Sequence, residues 1–217
     1  MNVCFRGRLL ILIGEAILKL ILVRHGETLS NRENRVQGIT DTELSDYGRK
    51  QVEKLAESLK KESIEGIVSS PLKRAYETAQ AIGKYHNVPI EIEKNLQELN
   101  HGDFENTAMD ELREKHLPFL NKWFLDPASV VMPNGESLHD VQTRAWRAIE
   151  KIIDTSKNVL VVSHSMTIMT ILCRIRNIDL SFAREVRVDV ASKTIVEFED
   201  GKGIITVLND KSHLQDL

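Results

Sequence analysis

Cysteine is scarce in this chain of 217 residues: Cys4 and Cys173 are the only two, far apart. That excludes a disulfide framework and the close cysteine pairing of a structural zinc site, and a reduced, cytoplasmic setting is the simplest reading. The seven histidines are scattered and contain no H-E-x-x-H run, so no metal site is expected. An excess of one charge is lacking too, with 29 Lys and Arg against 32 Asp and Glu, a formal −3. A protein that coats nucleic acid would carry a basic excess, and at 5% aromatics there is no aromatic and basic platform for single strands. Near balance still allows a local cationic pocket for a small anion. Long apolar runs are missing as well. The N-terminal stretch LLILI stops at Gly14 and Glu15, too short to span a bilayer and without a clear small-residue cleavage site, so no stable membrane association is expected. The five prolines mark no linker long enough to divide the chain.

What is present fits one domain: 41% hydrophobic and 28% charged residues over a length that can bury a substantial core. Residues 1–17 read as an N-terminal extension, either packed as an extra strand or helix or dispensable, and residues 18–217 as the domain. Residues 18–24, LKLILVR, form a dense apolar run of the kind found in a parallel strand covered on both faces. Residues 29–43 read as loop. Ser45 caps a helix to about Lys61, with Val52, Leu55, Ala56 and Leu59 on one face. A short strand at 66–69 precedes a helix begun by Pro71 and running through Tyr85, and residues 89–92 suit another strand. Helices are expected near 107–116, with Thr107 and Asp110 at capping-box spacing, and near 118–125. Ser137 opens a longer helix, residues 158–163 carry the apolar run VLVV, and a further helix spans Met166 to Arg176. Strands follow at 186–190, 194–198 and 204–208, the last two antiparallel across Asp200–Gly201, and the tail 211–217 reads as frayed. This alternation predicts an α/β fold, a three-layer αβα domain with a mostly parallel sheet and an antiparallel edge.

Two histidines stand immediately after apolar strands, His25 after LKLILVR and His164 after VLVVS. In open α/β sheets, ligands collect beyond the carboxyl ends of strands, so the repeated placement points to a site. Arg24 adjoins the first histidine. Arg74, near the start of a helix, points back towards the strand end at Ser69–Ser70, and the two arginines would clamp a phosphate through charged, directional hydrogen bonds. Glu98 follows another loop and offers a nearby acid.

In their order along the chain, these residues resemble the histidine phosphatase superfamily, the group that also contains the cofactor-dependent phosphoglycerate mutases. The match runs from LVRHGET at Leu22–Thr28 through Asn31, Arg35–Gly38, Asp41, Leu44, Gly48 and SSPLKRAYET at Ser69–Thr78. Glu98, Gly102 and Glu105 follow, then PNGES at Pro133–Ser137 and VVSH at Val161–His164. The resemblance covers residues 18–210 and implies a phosphoglycerate mutase-like fold. It implies His25 as a nucleophile that is transiently phosphorylated, Arg24 and Arg74 as phosphate-binding arginines, and His164 as a second histidine on the phosphoryl group. Glu98 would be the proton donor to the leaving alcohol, and Asn31 a further phosphoryl ligand. Cofactors and metal are not implied, since the side chains supply the positive charge. Two departures bear on substrate preference. Ser165 follows the second histidine where many members have Gly, adding a hydroxyl to the phosphate pocket, and Asn106 stands where Gly is common after the carboxylate of Glu105. Asn tolerates left-handed backbone, so the turn is expected to persist.

The resulting expectation is a metal-independent phosphomonoesterase acting on a small phosphorylated metabolite, of the small branch that includes α-ribazole phosphatase and metal-independent phosphoserine phosphatase. The segment between Glu98 and Pro133 is short for a phosphoglycerate mutase, which leaves that activity as an alternative, alongside a non-catalytic phospholigand sensor. Phe119, Leu120, Trp123 and Phe124 either line a lid or pack in the core. A homodimer through an exposed sheet edge or the extension is compatible with the sequence.

Overall fold

The computed structural model describes residues 18–217, and the expected extension, residues 1–17, lies outside them. Six strands form a single sheet: β1 (Leu18–Arg24), β2 (Gly66–Ser69), β3 (Ile90–Ile92), β4 (Val159–Ser163), β5 (Lys193–Glu199) and β6 (Lys202–Asp210). Their order is β3-β2-β4-β1-β5-β6. The pairs β3–β2, β2–β4 and β4–β1 are parallel, while β1–β5 and β5–β6 are antiparallel, which is the expected mostly parallel sheet with an antiparallel edge.

The alternation of side chains along β1 builds the three layers. Leu18, Leu20 and Leu22 enter one core, Ile21 and Val23 the other, because successive strand residues face opposite sides. The first core is closed by α6 (Leu138–Ile153) through Val141, Ala145 and Ile149, and by α7 (Ser165–Ile175) through Ile168, Ile171 and Leu172. The second is closed by the helices Asp46–Leu59 and Lys73–Gly83, through Leu55, Ala56 and Leu59 and through Ala75, Ala79 and Ile82. Between them the chain adds the short helices Leu29–Arg32, Met109–Lys115 and Leu117–Leu125. In chain order these five become α1 (Leu29–Arg32), α2 (Asp46–Leu59), α3 (Lys73–Gly83), α4 (Met109–Lys115) and α5 (Leu117–Leu125).

Several local expectations are corrected. Residues 29–43 are not all loop, since Thr28 and Asn31 form a reciprocal capping box that opens α1. The spacing at Thr107 and Asp110 makes no such box. Ala108 is the N-cap of α4, without a side-chain cap, and Asp110 pairs with Arg113 instead. The box occurs at Ser137 and Asp140, where it opens α6. Residues 186–190 are not a strand. Their backbone groups are spent elsewhere: the Val188 carbonyl accepts from Arg24 Nη1 at 2.7 Å and the Asp189 N–H donates to Asn209 Oδ1 at 2.7 Å. The C-terminal tail is not frayed, because a 3-10 turn at Ser212–Leu214 packs Leu214 on the α2 and α3 core and His213 Nε2 donates to the Ala191 carbonyl at 3.0 Å. Asn106 does hold its turn, at φ 61°.

Candidate active site

β1 and β4 are parallel neighbours in a register that sets Arg24 against Ser163, so the next residue of each strand, His25 and His164, emerges at the same edge of the sheet. Their rings lie 5.1 Å apart, centre to centre, tilted by 57°. β2 ends alongside at Ser69, and α3 starts four residues later, which turns Arg74 back over the two histidines.

His25 is buried, and its Nδ1 sits 2.7 Å from the Gly26 carbonyl. A carbonyl can only accept, so Nδ1 carries the proton and Nε2 the lone pair. Arg74 Nε donates to that Nε2 at 3.3 Å. Burial, then the charges of Arg74 and Arg24, hold the His25 pKa well below the ordinary imidazole value. The His164 Nε2 lies 2.7 Å from the Ser70 hydroxyl, which also accepts the Leu72 N–H at 3.4 Å. The Nδ1 of His164 is buried and without a partner among the described residues. Burial, followed by Arg74, His25 and Arg24, also depresses the His164 pKa far below its usual value.

The two arginines complete a cationic floor. Arg74 is fully buried, with Nη1 on the Thr40 carbonyl at 3.0 Å and Nη2 on the Gly38 carbonyl at 2.6 Å. Burial lowers its pKa to about 10, against the opposing pull of Glu98, Asp41 and Glu105, so it remains cationic at neutral pH. Arg24 gives Nη1 to Val188, while its buried Nε has no partner among the described residues. Burial lowers its pKa too, opposed by Glu98 and Asp189. Buried polar groups are nearly always paired, so the orphaned Arg24 Nε and His164 Nδ1 mark where an anion with several acceptor oxygens belongs.

Glu98, on the loop after Leu96, docks its carboxylate on the first turn of α7. Its Oε1 accepts from the Leu99 and Thr167 N–H groups at 2.9 and 3.2 Å, and its Oε2 from Met166 at 3.1 Å. Ser165, the first residue of α7, turns its hydroxyl to the Val188 carbonyl at 3.5 Å, the same oxygen that holds Arg24. Asn31 stands apart from the others. Its Oδ1 takes the Thr28 N–H at 3.1 Å, and among the described residues its side chain makes no hydrogen bond to the four basic residues.

Residues not singled out for a role by sequence hold this arrangement in place. Glu105 accepts from the backbone of Gly38, Ile39, Thr40 and His101 and from the Thr40 hydroxyl, fixing the loop whose carbonyls grip Arg74. Arg144 grips the loop that carries Glu98, and Ser70 orients His164. The His101 ring lies near Glu98 and Glu105, and burial lowers its pKa. Of the aromatic group, Leu120 and Trp123 are core residues, whereas Phe124 is exposed beneath the Arg184 guanidinium, 4.2 Å from its ring centre.

Paired strand-end histidines within a double-arginine clamp, on a three-layer α/β sheet, define a phosphoryl-transfer class. The profile of the histidine phosphatase superfamily (branch 1) matches residues 20–211, and the chain belongs to that superfamily. It is 35% identical over 200 residues to phosphoserine phosphatase 1 of Hydrogenobacter thermophilus, covering 91% of this chain and 95% of the relative. Among solved structures, YhfR of Bacillus stearothermophilus superposes with a TM-score of 0.87 at 30% identity, covering 91% of this chain and all of its own. The α-ribazole phosphatase of Shigella flexneri does so at 0.82 and 26%, over 89% and 97% of the two chains. The protein is a phosphatase with a phosphoglycerate mutase-like fold. No helix among the described residues is long and apolar enough to cross a membrane.

Proposed function

We propose that the protein is a metal-independent phosphomonoesterase that hydrolyses a small phosphorylated metabolite through a phosphohistidine formed on His25. The observation that carries this reading is the lone pair of His25 Nε2, fixed by the Gly26 carbonyl and surrounded by Arg24, Arg74 and the unpartnered Nδ1 of His164.

In the first step the Arg74 Nε–H gives up the lone pair of Nε2, which attacks phosphorus, and the bond from phosphorus to the ester oxygen breaks. The electron pair leaves on that oxygen, which takes a proton from Glu98. The proton stays on Nδ1, hydrogen-bonded to the Gly26 carbonyl, which steadies the ring as it gains positive charge. Arg24 Nε and His164 Nδ1–H donate to the equatorial oxygens, and Arg74 adds its charge from the side of the nucleophile. These buried cations do the work of charge neutralisation without a metal ion. In the second step Glu98, now a carboxylate, takes a proton from water, whose oxygen attacks phosphorus and breaks the bond to Nε2. Inorganic phosphate leaves and both residues return to their starting states. Asn31 is a further phosphoryl ligand in this reading, donating from Nδ2 while its Oδ1 stays on Thr28.

The relatives carry the names of different organic halves, phosphoserine and α-ribazole, which supports a small metabolite and leaves its identity to the loops around the pocket. The test is phosphate release from p-nitrophenyl phosphate and a panel of phosphometabolites in EDTA, with His25→Ala as control. EDTA-resistant turnover that disappears in the variant is the expected result. Interconversion of the phosphoglycerates with a bisphosphoglycerate primer, and no phosphate release, would make the protein a mutase instead.

A further inference from the structure

The loop that carries Glu98 is tied down by one guanidinium. Arg144, from α6, uses every one of its N–H groups. Nη1 donates to the carbonyls of Asn95 and Gln97, each at 2.7 Å, and Nη2 to the Glu98 carbonyl at 2.9 Å. The remaining two N–H groups form a fork with Glu136, Nε to Oε1 at 2.8 Å and Nη2 to Oε2 at 3.0 Å. Glu136, from the PNGES motif, holds the far side of the same loop: its Oε2 accepts from the Asn100 N–H and its own N–H donates to the Asn100 carbonyl, both at 3.0 Å. Arg144 and Glu136 thus fix the backbone on either side of Glu98, and their side chains are only 17% and 25% exposed.

We propose that Arg144 and Glu136 are positioning residues for proton transfer by Glu98, an inference that rests on the acid role given to Glu98 above. The carboxyl end of Glu98 is held by the N–H groups at the start of α7, and its backbone end is held by Arg144. With both ends fixed, the carboxyl keeps one direction towards the ester oxygen. Freed at the backbone end, the loop shifts and the carboxyl pivots on α7, which alters the path of the proton while the nucleophile and phosphate clamp stay in place. Proton transfer depends on such placement to within a fraction of an ångström. Lysine cannot replace the guanidinium, because three donors from a single nitrogen cannot serve three carbonyls and a carboxylate fork.

The test compares kcat/KM for phenyl phosphate and p-nitrophenyl phosphate, two substrates of nearly the same shape. The phenolate needs a proton to leave, whereas p-nitrophenolate leaves readily without one. Arg144→Lys and Glu136→Gln are expected to lose roughly tenfold more on phenyl phosphate than on p-nitrophenyl phosphate, in the same sense as Glu98→Gln. Equal losses on the two substrates in both positioning variants, with Glu98→Gln still selective, would overturn the inference and leave Arg144 a purely structural residue. Equal losses in Glu98→Gln itself would instead remove the acid role on which the inference rests. Thermal unfolding confirms that each variant is folded. Should Arg144→Lys fail to fold, Glu136→Gln decides alone, since it breaks the fork that aims the guanidinium and loosens the Asn100 side of the same loop.

Discussion

Glu105 and Arg74 hold the two sides of one three-residue loop. The carboxylate takes the N–H groups of Gly38, Ile39 and Thr40, while the guanidinium takes the carbonyls of Gly38 and Thr40. The loop therefore transmits the placement of a surface-proximal carboxylate to a fully buried arginine beside His25.

Glu105→Gln should weaken catalysis although Glu105 touches no reacting atom. An amide offers one acceptor oxygen where the carboxylate has two, and sets an NH2 against backbone donors. A loss of about tenfold in kcat/KM is expected. The same site carries a pH signature. Burial raises the Glu105 pKa, but hydrogen bonds from the Thr40 hydroxyl and from the His101, Thr40 and Ile39 backbone outweigh it and leave the pKa below the ordinary value of 4.5. Its stabilising contribution is complete above that unfolded value and is lost as the pH falls through the lower folded one. Thermal melts across this acid range should converge for wild type and Glu105→Gln as the pH falls.

Arg74→Lys should fold and bind phosphate poorly. A lysine keeps the charge but cannot donate at once to His25 Nε2, Gly38 and Thr40. A fall of about a hundredfold in kcat/KM is expected, with a raised KM, measured by steady-state phosphate release.

His25 and His164 should stay neutral where ordinary histidines gain a proton. Both pKa values lie well below 6.5, through burial first and the neighbouring Arg74 next. The unfolded chain binds those protons and the folded one does not, so the two histidines cost stability progressively as the pH falls below 6.5 towards the folded values. Imidazole resonances in a pH titration by NMR are the check. His25→Ala and His164→Asn should each remove a resonance that does not move as the pH falls from neutrality through the ordinary imidazole value of 6.5.

Ser137→Ala removes the hydroxyl that accepts the Asp140 N–H at the start of α6 and donates to the Asp140 carboxylate. Loss of such a cap costs about 1 kcal/mol. For a chain of this length the melting temperature should fall by about 2–4 °C, read by calorimetry.

The parts of this molecule that were legible in its sequence are those built from contiguous runs. β1 and β4 are short apolar runs that end in histidine, and their parallel pairing makes the two ends adjacent. What was not legible depends on contacts between distant segments. Glu105 binds a loop more than sixty residues earlier, and the backbone partners of Arg144 lie 46–49 residues before it. No local spacing signals either one. The segment VRVDV at 186–190 has the alternation of a strand, but its outward groups are taken by the site. Arg24 binds Val188, and Asp189 is held by Arg187, Lys211 and Asn209. Burial raises the Asp189 pKa, yet those partners bring it down to about 2. A left-handed Ala191 at φ 53° then turns the chain so that its N–H reaches the His25 carbonyl at 3.0 Å. Asn106, by contrast, kept the turn that its tolerance of positive φ foretold.

The central claim is covalent: the phosphoryl group rests on His25 between the two halves of the reaction. Protein mixed with p-nitrophenyl phosphate can be quenched in base, where phosphohistidine survives, and its peptides sequenced by mass spectrometry. The account predicts a phosphoryl group on His25 alone, at higher occupancy in Glu98→Gln, where the aryl ester still leaves but water is no longer activated. A label on His164, or phosphate release that persists in folded His25→Ala, would contradict it.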